Sequence, residues 1–340
     1  MSVALGYFIN PEYETTFPVE KAIQEQRSTV ALAAELGMTA TFVGEHFSFG
    51  NFAWLPPMML LSRIHDAAPG MLFGTAVLSG PLHHPAVLAE QAAFLDASTG
   101  GRFVLGLAAG WNPAEFDILG QPFAGRGRRL EESVTVIRRL WSSGEPQSFT
   151  GTHYRYDNLG MGLRPATPGG PPIWLGGSSR AALDRAARIA DTWICSSHVA
   201  TDQALQQATV YRDCLDAAGR PAPTVRPGLR NIFVARTRDE AIARCAPYLT
   251  ASYAMFNSWG LFGKVLRDPT VEVDFEKASQ RAVIGSVDEV AEELIAFARA
   301  GDLTLLLARC QWLGIPHSYI NDSLTLLATE VMPLVNNALS

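Results

Sequence analysis

The stretch WLGGSSRAALDRAARIADTWICSS, residues 174–197, decides the fold. It begins as an apolar strand, turns at two glycines and two serines, continues as an Ala- and Arg-rich helix, and returns to a second apolar strand. Short, continuously apolar strands that alternate with helices are typical of a parallel sheet covered by helices. The stretch therefore predicts one β–α–β unit with a Gly-Gly-Ser-Ser turn between its first strand and its helix.

The same alternation runs along the whole chain. Strands are predicted at 3–9, 39–45, 71–77, 102–110, 172–177, 192–197, 228–235 and 303–311, and the main helices at 18–36, 85–100, 128–141, 179–190, 201–217, 237–255 and 320–338. Eight strand–helix units in a chain of 340 residues favour a (β/α)8 TIM barrel, an α/β fold, over an open doubly wound sheet. We expect one domain over residues 1–340, because no break in composition separates two cores.

Two connections are longer than a barrel requires. They follow strands 4 and 7, at 109–127 and about 256–285. Long loops in compact domains are usually functional, so we predict that both are insertions that act as lids. Tyr253, Phe256, Trp259 and Phe262, in or beside the second insertion, are expected to be core or interface residues, or to shape an apolar pocket.

Composition excludes several classes of protein. The chain has 48% hydrophobic residues, 18% charged residues and a formal net charge of −6. No basic stripe exists that would follow a phosphate backbone, so nucleic-acid binding is not expected. The start MSVALGYFIN lacks the features of a signal peptide, and no apolar run reaches the roughly 18 residues of a membrane span. We expect a soluble, cytoplasmic protein without membrane contact.

Polar and small residues follow the predicted strands, where a barrel enzyme has its active site. They are Glu45 and His46, Thr75 and Ala76, Gly110 to Asn112, Gly176 to Ser179, Ser196 to His198, and Arg309 to Trp312. The turn at Gly176, Gly177, Ser178 and Ser179 offers backbone N–H groups, two hydroxyls and the positive end of a helix, which suit a phosphate. Alternatively, Ser178 or Ser179 only caps the helix.

Other motifs limit the chemistry. There is no G-x-G-x-x-G after a strand, no P-loop and no G-x-S-x-G, so a built-in nicotinamide site, a P-loop NTPase and an α/β-hydrolase are not supported. His83 and His84 lack a third ligand at usable spacing, so no metal site is predicted. Glu115 is expected to favour the dipole of its helix from the first turn.

An ordered set of motifs resembles the bacterial-luciferase-like flavin oxidoreductases over nearly the whole chain. The set is FVGEHF (42–47), GTAV (74–77), HHPAVLAEQAAFLDASTGGRFVLGLAAGWNPAEFDILG (83–120), PPIWLGGSSRAALDRAARIADTWI (171–194) and VIGSVDEVAEELIAFARAG (283–301). The resemblance implies a (β/α)8 barrel that uses reduced FMN or the deazaflavin F420. It also implies an enzyme, an oxidoreductase of the monooxygenase type.

The resemblance assigns roles to individual residues. It makes His46 the catalytic residue, which assists proton transfer near the flavin. An imidazole suits this role because it titrates near neutral pH. The cofactor-binding residues that it implies are Glu45 beside His46, Thr75 and Ala76 against the isoalloxazine ring, Trp111 and Asn112 along the flavin or substrate cavity, and Gly176, Gly177, Ser178 and Ser179 at the phosphate.

One position departs from the family pattern. Some members carry an arginine on the phosphate immediately before the glycine that follows strand 4, and this chain has Ala109 there. The phosphate would then depend on the helix end and the hydroxyls, or on another cation such as Arg180 or Arg230.

The implied reaction is that of a two-component monooxygenase. A separate flavin reductase is the transient electron source and supplies FMNH2. O2 reacts with the FMNH2 to give a C4a-peroxide, which oxygenates a small organic substrate. Two alternatives stay open: an F420-dependent oxidoreductase on the same barrel, and a catalytically silent flavin-binding protein.

We expect a homodimer, with the apolar helices near 55–64 and 85–98 as a possible interface. The substrate is not determined by the sequence.

Overall fold

The chain alternates strands and helices throughout the computed structural model, which describes residues 2–47, 52–261 and 273–340. The strands are β1 Ala4–Ile9, β2 Glu12–Glu14, β3 Ala40–Val43, β4 Phe52–Trp54, β5 Leu72–Thr75, β6 Leu78–Ser79, β7 Phe103–Ala108, β8 Gln147–Thr150, β9 Arg155–Leu159, β10 Ile173–Gly176, β11 Thr192–Ile194, β12 Pro227–Val234, β13 Ala282–Gly285 and β14 Leu305–Arg309. The helices are α1 Val19–Glu35, α2 Pro57–Ile64, α3 Pro85–Ser98, α4 Pro113–Ile118, α5 Arg126–Ser142, α6 Arg180–Ile189, α7 Thr201–Ala217, α8 Arg238–Ser258, α9 Phe275–Ser279, α10 Val287–Gly301, α11 His317–Leu326 and α12 Met332–Leu339.

The main sheet is parallel and curled. Its strands follow the order β11-β10-β7-β5-β3-β1-β14-β12-β13, and β6 adds a short pairing to β7. Contacts also join β11 to β12: the N–H of Leu229 donates to Cys195 Sγ at 3.4 Å, and Asn231 Nδ2 donates to the carbonyl of Ser197 at 2.9 Å. The sheet therefore curls round until β11 lies beside β12.

All eight predicted strands are present, so the α/β class and the parallel sheet are confirmed. The structure adds β13, which pairs with the second half of β12 through Val234 and Gly285. This strand lies within the stretch that we assigned to the second long connection. That the sheet is a closed barrel with insertions after strands 4 and 7, and that the chain is one domain, stays a prediction.

Helices cover the sheet through buried apolar faces. In α6, the buried residues Leu183, Ala186 and Ala187 recur at the spacing of one helix face. Between the strands, buried apolar side chains form a core cluster that runs from Val3 to Val335. No helix in the described ranges is both long and apolar enough to cross a bilayer.

Two connections contain structure that the sequence did not reveal. The antiparallel pair β8–β9 occupies a stretch without a predicted element, and α4 lies inside the first long connection, 109–127. Of the second long connection, α8 extends to Ser258, while Phe262 lies outside the described residues.

The register of β5 against β7 depends on Gly106. The hydroxyl of Thr75 donates to the carbonyl of Gly106 at 2.8 Å and accepts from the N–H of Gly106 at 2.9 Å. A Cβ at Gly106 would lie 1.8 Å from the carbonyl oxygen of Thr75. The two strands can therefore approach this closely only with glycine at this position.

We expect Gly106→Ala to lower the free energy of unfolding by about 3 kcal/mol or more, because a backbone oxygen cannot move aside as a side chain can. The measurement is chemical denaturation followed by circular dichroism. Gly162→Ala is the matched control, since a Cβ at this exposed glycine meets nothing within 4 Å. Equal stability of the two variants would contradict the close approach of β5 and β7.

Candidate active site

His46 follows β3 and is held by a buried carboxylate. Its Nδ1 lies 2.9 Å from Glu115 Oε1, and the same oxygen accepts the N–H of Phe47 at 3.2 Å. Glu115 is only 2% exposed. A carboxylate accepts hydrogen bonds, so Nδ1 donates and Nε2 of a neutral His46 keeps its lone pair. The arrangement leaves Nε2 as the atom able to take or give a proton.

Glu115 is a residue of the site that the sequence analysis placed only in its helix. It does lie in the first turn of α4, as expected from the helix-dipole argument. Its contact with His46 could not be predicted, because the two residues are 69 positions apart. The signal that was available is a carboxylate three residues after Asn112 in GWNPAEF, on the loop that follows a central strand.

Aromatic rings surround His46. Ring centroids lie 4.8 Å away for Trp54, 5.9 Å for Trp111, 5.5 Å for Phe256 and 5.5 Å for Trp259. These side chains come from β4, from the loop after β7 and from the end of α8 with the residue that follows it. His46 therefore works in an apolar enclosure, with 11% of its side chain exposed.

Glu45, by contrast, faces partners inside the protein. Its carboxylate accepts the N–H of Ser79 at 2.7 Å and pairs with His83 Nε2 at 2.8 Å. Burial by itself lowers the pKa of His83, but the hydrogen bond and the charge of Glu45 outweigh burial and raise this pKa. Glu45 thus ties the end of β3 to the segment after β5. Its contact with a cofactor stays a prediction.

Thr75 and Ala76 end β5 at the same edge of the sheet. The hydroxyl of Thr75 is buried and is already engaged by Gly106 on β7. Ala76, which is 8% exposed, is joined to Val77 by a cis peptide bond. The group that this strand end offers to a ligand is therefore backbone and methyl surface rather than a hydroxyl.

The Gly-Gly-Ser-Ser turn has the features of an anion site. Gly177 adopts φ = +150°, a conformation that L side chains rarely adopt, and Trp193 Nε1 donates to its carbonyl at 2.8 Å. The backbone N–H groups of 178–181 donate to no acceptor among the described residues. Free N–H groups at the start of a helix fit a phosphate.

The two serines of the turn differ. Ser179 Oγ accepts the N–H of Ala182 at 3.3 Å, so Ser179 caps α6 as the alternative interpretation expected. The hydroxyl of Ser178 makes no hydrogen bond in the part of the chain that the structure describes, and its side chain is half-buried. Ser178 is therefore the hydroxyl that remains for a ligand.

A further arginine, Arg126, lies next to Ala109, and the roles expected of Arg180 or Arg230 stay predictions. Arg230 is buried and donates to the carbonyl of Val199 at 2.6 Å and to Thr201 Oγ1 at 3.0 Å. Arg126, at the start of α5, donates from Nε to the carbonyl of Gly110 at 2.9 Å. Burial, followed by the charge of Arg185, lowers its pKa. Arg126 thus places a positive charge beside Ala109, where the family arginine is missing.

Asn112 caps α4 through Oδ1, which accepts the N–H of Ala114 at 3.2 Å. Its Nδ2 is buried and has no partner among the described side chains and backbone groups. Glu12, His198 and Arg309 also have buried polar atoms without a partner in the described ranges. Glu12 was not predicted as a site residue, although it follows β1 closely.

No group of three or more His, Cys, Asp or Glu side chains that could hold a metal ion occurs in the described ranges. The two histidines considered for such a site have other partners. His83 pairs with Glu45, and His84 Nδ1 accepts the N–H of Ala86 at 3.3 Å at the start of α3.

The curled parallel sheet thus has, at one edge, an imidazole in an aromatic enclosure and a turn whose N–H groups have no acceptor among the described residues. This combination is typical of an α/β enzyme. The family model described as luciferase-like monooxygenase matches residues 3–304, and the chain belongs to this family. It is accordingly a flavin-dependent oxidoreductase.

Three comparisons illustrate the range of the relatives. The "FMNH(2)-dependent dimethylsulfone monooxygenase" of Pseudomonas fluorescens is 30% identical over 278 residues, covering 76% of this chain and 72% of that protein. The "F420-dependent hydroxymycolic acid dehydrogenase" of Mycobacterium tuberculosis is 35% identical over 195 residues, covering 56% of this chain and 52% of that protein. The same fold occurs in the oxygenating constituent of 3,6-diketocamphane monooxygenase of Pseudomonas putida, whose structure was solved in complex with FMN. The TM-score is 0.80 and the sequence identity 21%, and the match covers 98% of this chain and 99% of that chain.

We expect Glu45→Gln to move the pKa of His83 below about 6.5, because burial stays while the carboxylate charge is lost. In the unmodified protein, the pair's contribution to stability is complete below about pH 6.5 and is lost as the pH rises through the raised pKa of His83. In the variant, the contribution of His83 falls on acidification instead. NMR titration of the imidazole measures the pKa. Glu35→Gln, at the exposed end of α1, is the control, and a His83 pKa unchanged by Glu45→Gln would refute the pairing.

Proposed function

We propose that the protein is an FMNH2-dependent monooxygenase that receives reduced flavin from a separate reductase and oxygenates a small organic substrate with O2. The observation that carries this proposal is His46, with Nδ1 fixed by Glu115 and Nε2 left for proton transfer inside an aromatic enclosure. The similarity to the dimethylsulfone monooxygenase of Pseudomonas fluorescens supports the choice of cofactor.

The residues of this chain fit a flavin phosphate at the turn after β10. The backbone N–H groups of 178–181 and the hydroxyl of Ser178 donate to the phosphate, and Arg126 supplies a positive charge nearby. Gly176 and Gly177 keep the backbone accessible there. The surface toward the isoalloxazine ring would be formed by Thr75, Ala76, Glu45, Trp111 and Asn112. Nδ2 of Asn112 would be a hydrogen-bond donor available to this ring. When bound, the reduced flavin supplies the electrons that activate O2.

Each residue around His46 has a separate task. Glu115 keeps the imidazole in one orientation, so that Nε2 holds or delivers the proton. Trp54, Trp111, Phe256 and Trp259 exclude water from the site, which protects reactive species from hydrolysis. We propose that the sheet closes as a barrel and that the stretch at 109–127, together with residues 256–261 of the second connection, helps to complete this enclosure. Residues 262–272 of that connection lie outside the described residues.

A second candidate is an F420-dependent oxidoreductase, which the hydroxymycolic acid dehydrogenase relative favours. F420 also carries a phosphate, so the turn after β10 would hold either cofactor. His46 would then assist hydride transfer rather than oxygenation. The family match and the imidazole fixed by Glu115 favour an enzyme over a catalytically silent flavin-binding protein. A cytoplasmic location is proposed from the sequence alone.

We expect that the protein with FMN does not oxidise NAD(P)H by itself, because it carries no dinucleotide motif, and that adding a flavin reductase starts oxygen consumption that depends on an organic substrate. Dimethyl sulfone, which the name of the Pseudomonas relative suggests, and hexanesulfonate are the first substrates to try. Anaerobically reduced FMN or reduced F420 is then mixed with the protein and oxygenated buffer, and the return of the oxidised absorbance is followed. Bound FMNH2 should reoxidise at a different rate from free FMNH2.

The same assay separates the candidates. Tight binding of F420 with hydride exchange, and FMNH2 reoxidation as in free solution, would overturn the monooxygenase in favour of the second candidate. His46→Ala should slow turnover by about 10² to 10⁴-fold without weakening FMN binding. His153→Ala, at the turn between β8 and β9, is the matched control. A normal rate in His46→Ala would make His46 structural.

We propose a homodimer whose interface is the outer face of α2 and α3. Met59 on α2 is 62% exposed, and Val87 and Phe94, which share one face of α3, are each 51% exposed. Neighbouring exposed apolar side chains of this size are typical of an interface.

Light scattering at micromolar concentration should show a dimer for the unmodified chain and a monomer for Phe94→Glu, because a carboxylate in an apolar interface loses its hydration. Ile118→Glu is the control, since Ile118 is equally exposed but lies on α4. A monomeric unmodified chain would refute the homodimer, and a dimeric Phe94→Glu would refute this interface.

A further inference from the structure

Arg309, the last residue of β14, is a buried cation whose side chain makes no hydrogen bond among the described residues. It is 2% exposed, and its Nε and Nη2 are buried without a partner in the part of the chain that the structure describes. A guanidinium carries five N–H donors, and burying them without acceptors is costly. A side chain kept in this condition is more readily explained by a ligand than by stability.

The position of Arg309 connects it to the active site. Its guanidinium lies over the ring of Phe256, 5.8 Å from the centroid. The same ring lies 5.5 Å from His46 and 4.8 Å from His198. One aromatic side chain therefore touches the proposed proton-transfer residue, a second imidazole and the cation.

His198 does not compete with Arg309 for an anion. Burial, then the positive charges of Arg309 and His46, lowers the pKa of His198 well below its ordinary value. The imidazole is therefore neutral at physiological pH, and its Nδ1 is buried without a partner in the described ranges. Arg309 is left as the permanent positive charge over the ring of Phe256.

Glu12 is an acidic group near Arg309, but it does not neutralise the guanidinium by contact. Glu12 Oε1 accepts the N–H of Leu313 at 2.8 Å and the hydroxyl of Ser252 at 3.5 Å. No ion pair within 4.0 Å joins Glu12 to Arg309 in the described structure. Burial raises the pKa of Glu12, and the charge of Arg309 partly opposes this. Nε and Nη2 of Arg309 therefore have no acceptor among the described residues.

We propose that Arg309 binds an oxyanion of the organic substrate, a carboxylate or a sulfonate, while the aromatic side chains around His46 hold an apolar remainder. Two N–H donors on one guanidinium match the two oxygens of either group. The proposal rests on the proposed oxygenation of an organic substrate at this site and specifies its class: an apolar compound with one terminal oxyanion.

The test is binding without turnover. The probes are hexanoate, hexanesulfonate and the uncharged hexanamide, titrated by calorimetry into the protein loaded with FMN. We expect one or both anions to bind about 10- to 100-fold more tightly than the amide, because hydrogen bonds to charged groups are the strong ones. The two anions distinguish a carboxylate site from a sulfonate site. Equal affinity for all three probes would overturn the proposal.

Variants connect the preference to Arg309. Arg309→Met should abolish the preference for anions, and Arg309→Lys should retain part of it. Arg188→Met, which alters an exposed arginine paired with Asp184, is the matched control. Arg309→Met should also keep or raise the melting temperature of the protein without probe, because it removes a buried charge that has no partner. A lowered melting temperature with an unchanged anion preference would make Arg309 structural and overturn the proposal.

The result of the anion-binding test does not depend on whether the proposed oxygenation takes place. If the protein with FMNH2 and O2 oxygenates no organic substrate but the anions still bind through Arg309, the proposed function fails and the binding site stands. If Arg309→Met weakens FMN binding and leaves the anion preference unchanged, Arg309 serves the cofactor and the inference fails.

Discussion

The common direction of the strands is the constraint on which the site depends. In the path from β11 to β13 every pairing is parallel, so the carboxyl ends of the strands lie at one edge. Residues far apart in sequence meet there because each follows its own strand. His46 after β3, Asn112 after β7, Ser178 after β10 and Arg309 at the end of β14 are brought together in this way. A change of register in any one strand would move its residue out of the site.

Close contacts between neighbouring strands make this edge rigid. Thr75 uses both hydrogen-bonding functions of its hydroxyl on Gly106, and Glu45 ties the end of β3 to the segment after β5. These interactions consume polar groups that would otherwise be available to a ligand. Among the described residues, polar atoms without a hydrogen bond at this edge include His46 Nε2, the hydroxyl of Ser178, Nδ2 of Asn112, and Nε and Nη2 of Arg309. Polar groups that are hydrogen-bonded within the protein hold the strand ends in place. The polar groups without such a partner are the ones that we propose to bind ligands.

The environment of His46 links packing to chemistry. Glu115 fixes the ring from one side, and four aromatic side chains from three segments fill the others. This enclosure leaves 11% of the His46 side chain exposed. Arg309 reaches the same group of rings through Phe256, so the apolar enclosure also strengthens any charge–charge interaction made inside it.

The sequence by itself determined the eight predicted strands, the main helices and the turn at 176–179, because apolar runs, helix periodicity and Gly-Ser turns are local signals. The resemblance of ordered motifs also placed His46 and the phosphate turn. Tertiary structure decided the rest: the contact between His46 and Glu115, the place of Arg126 beside Ala109, and the lack of a partner for Arg309. These depend on which side chains from distant strands share one edge of the sheet. Hydrogen bonds and burial between residues distant in sequence leave no periodic or compositional trace, so only the folded chain shows them.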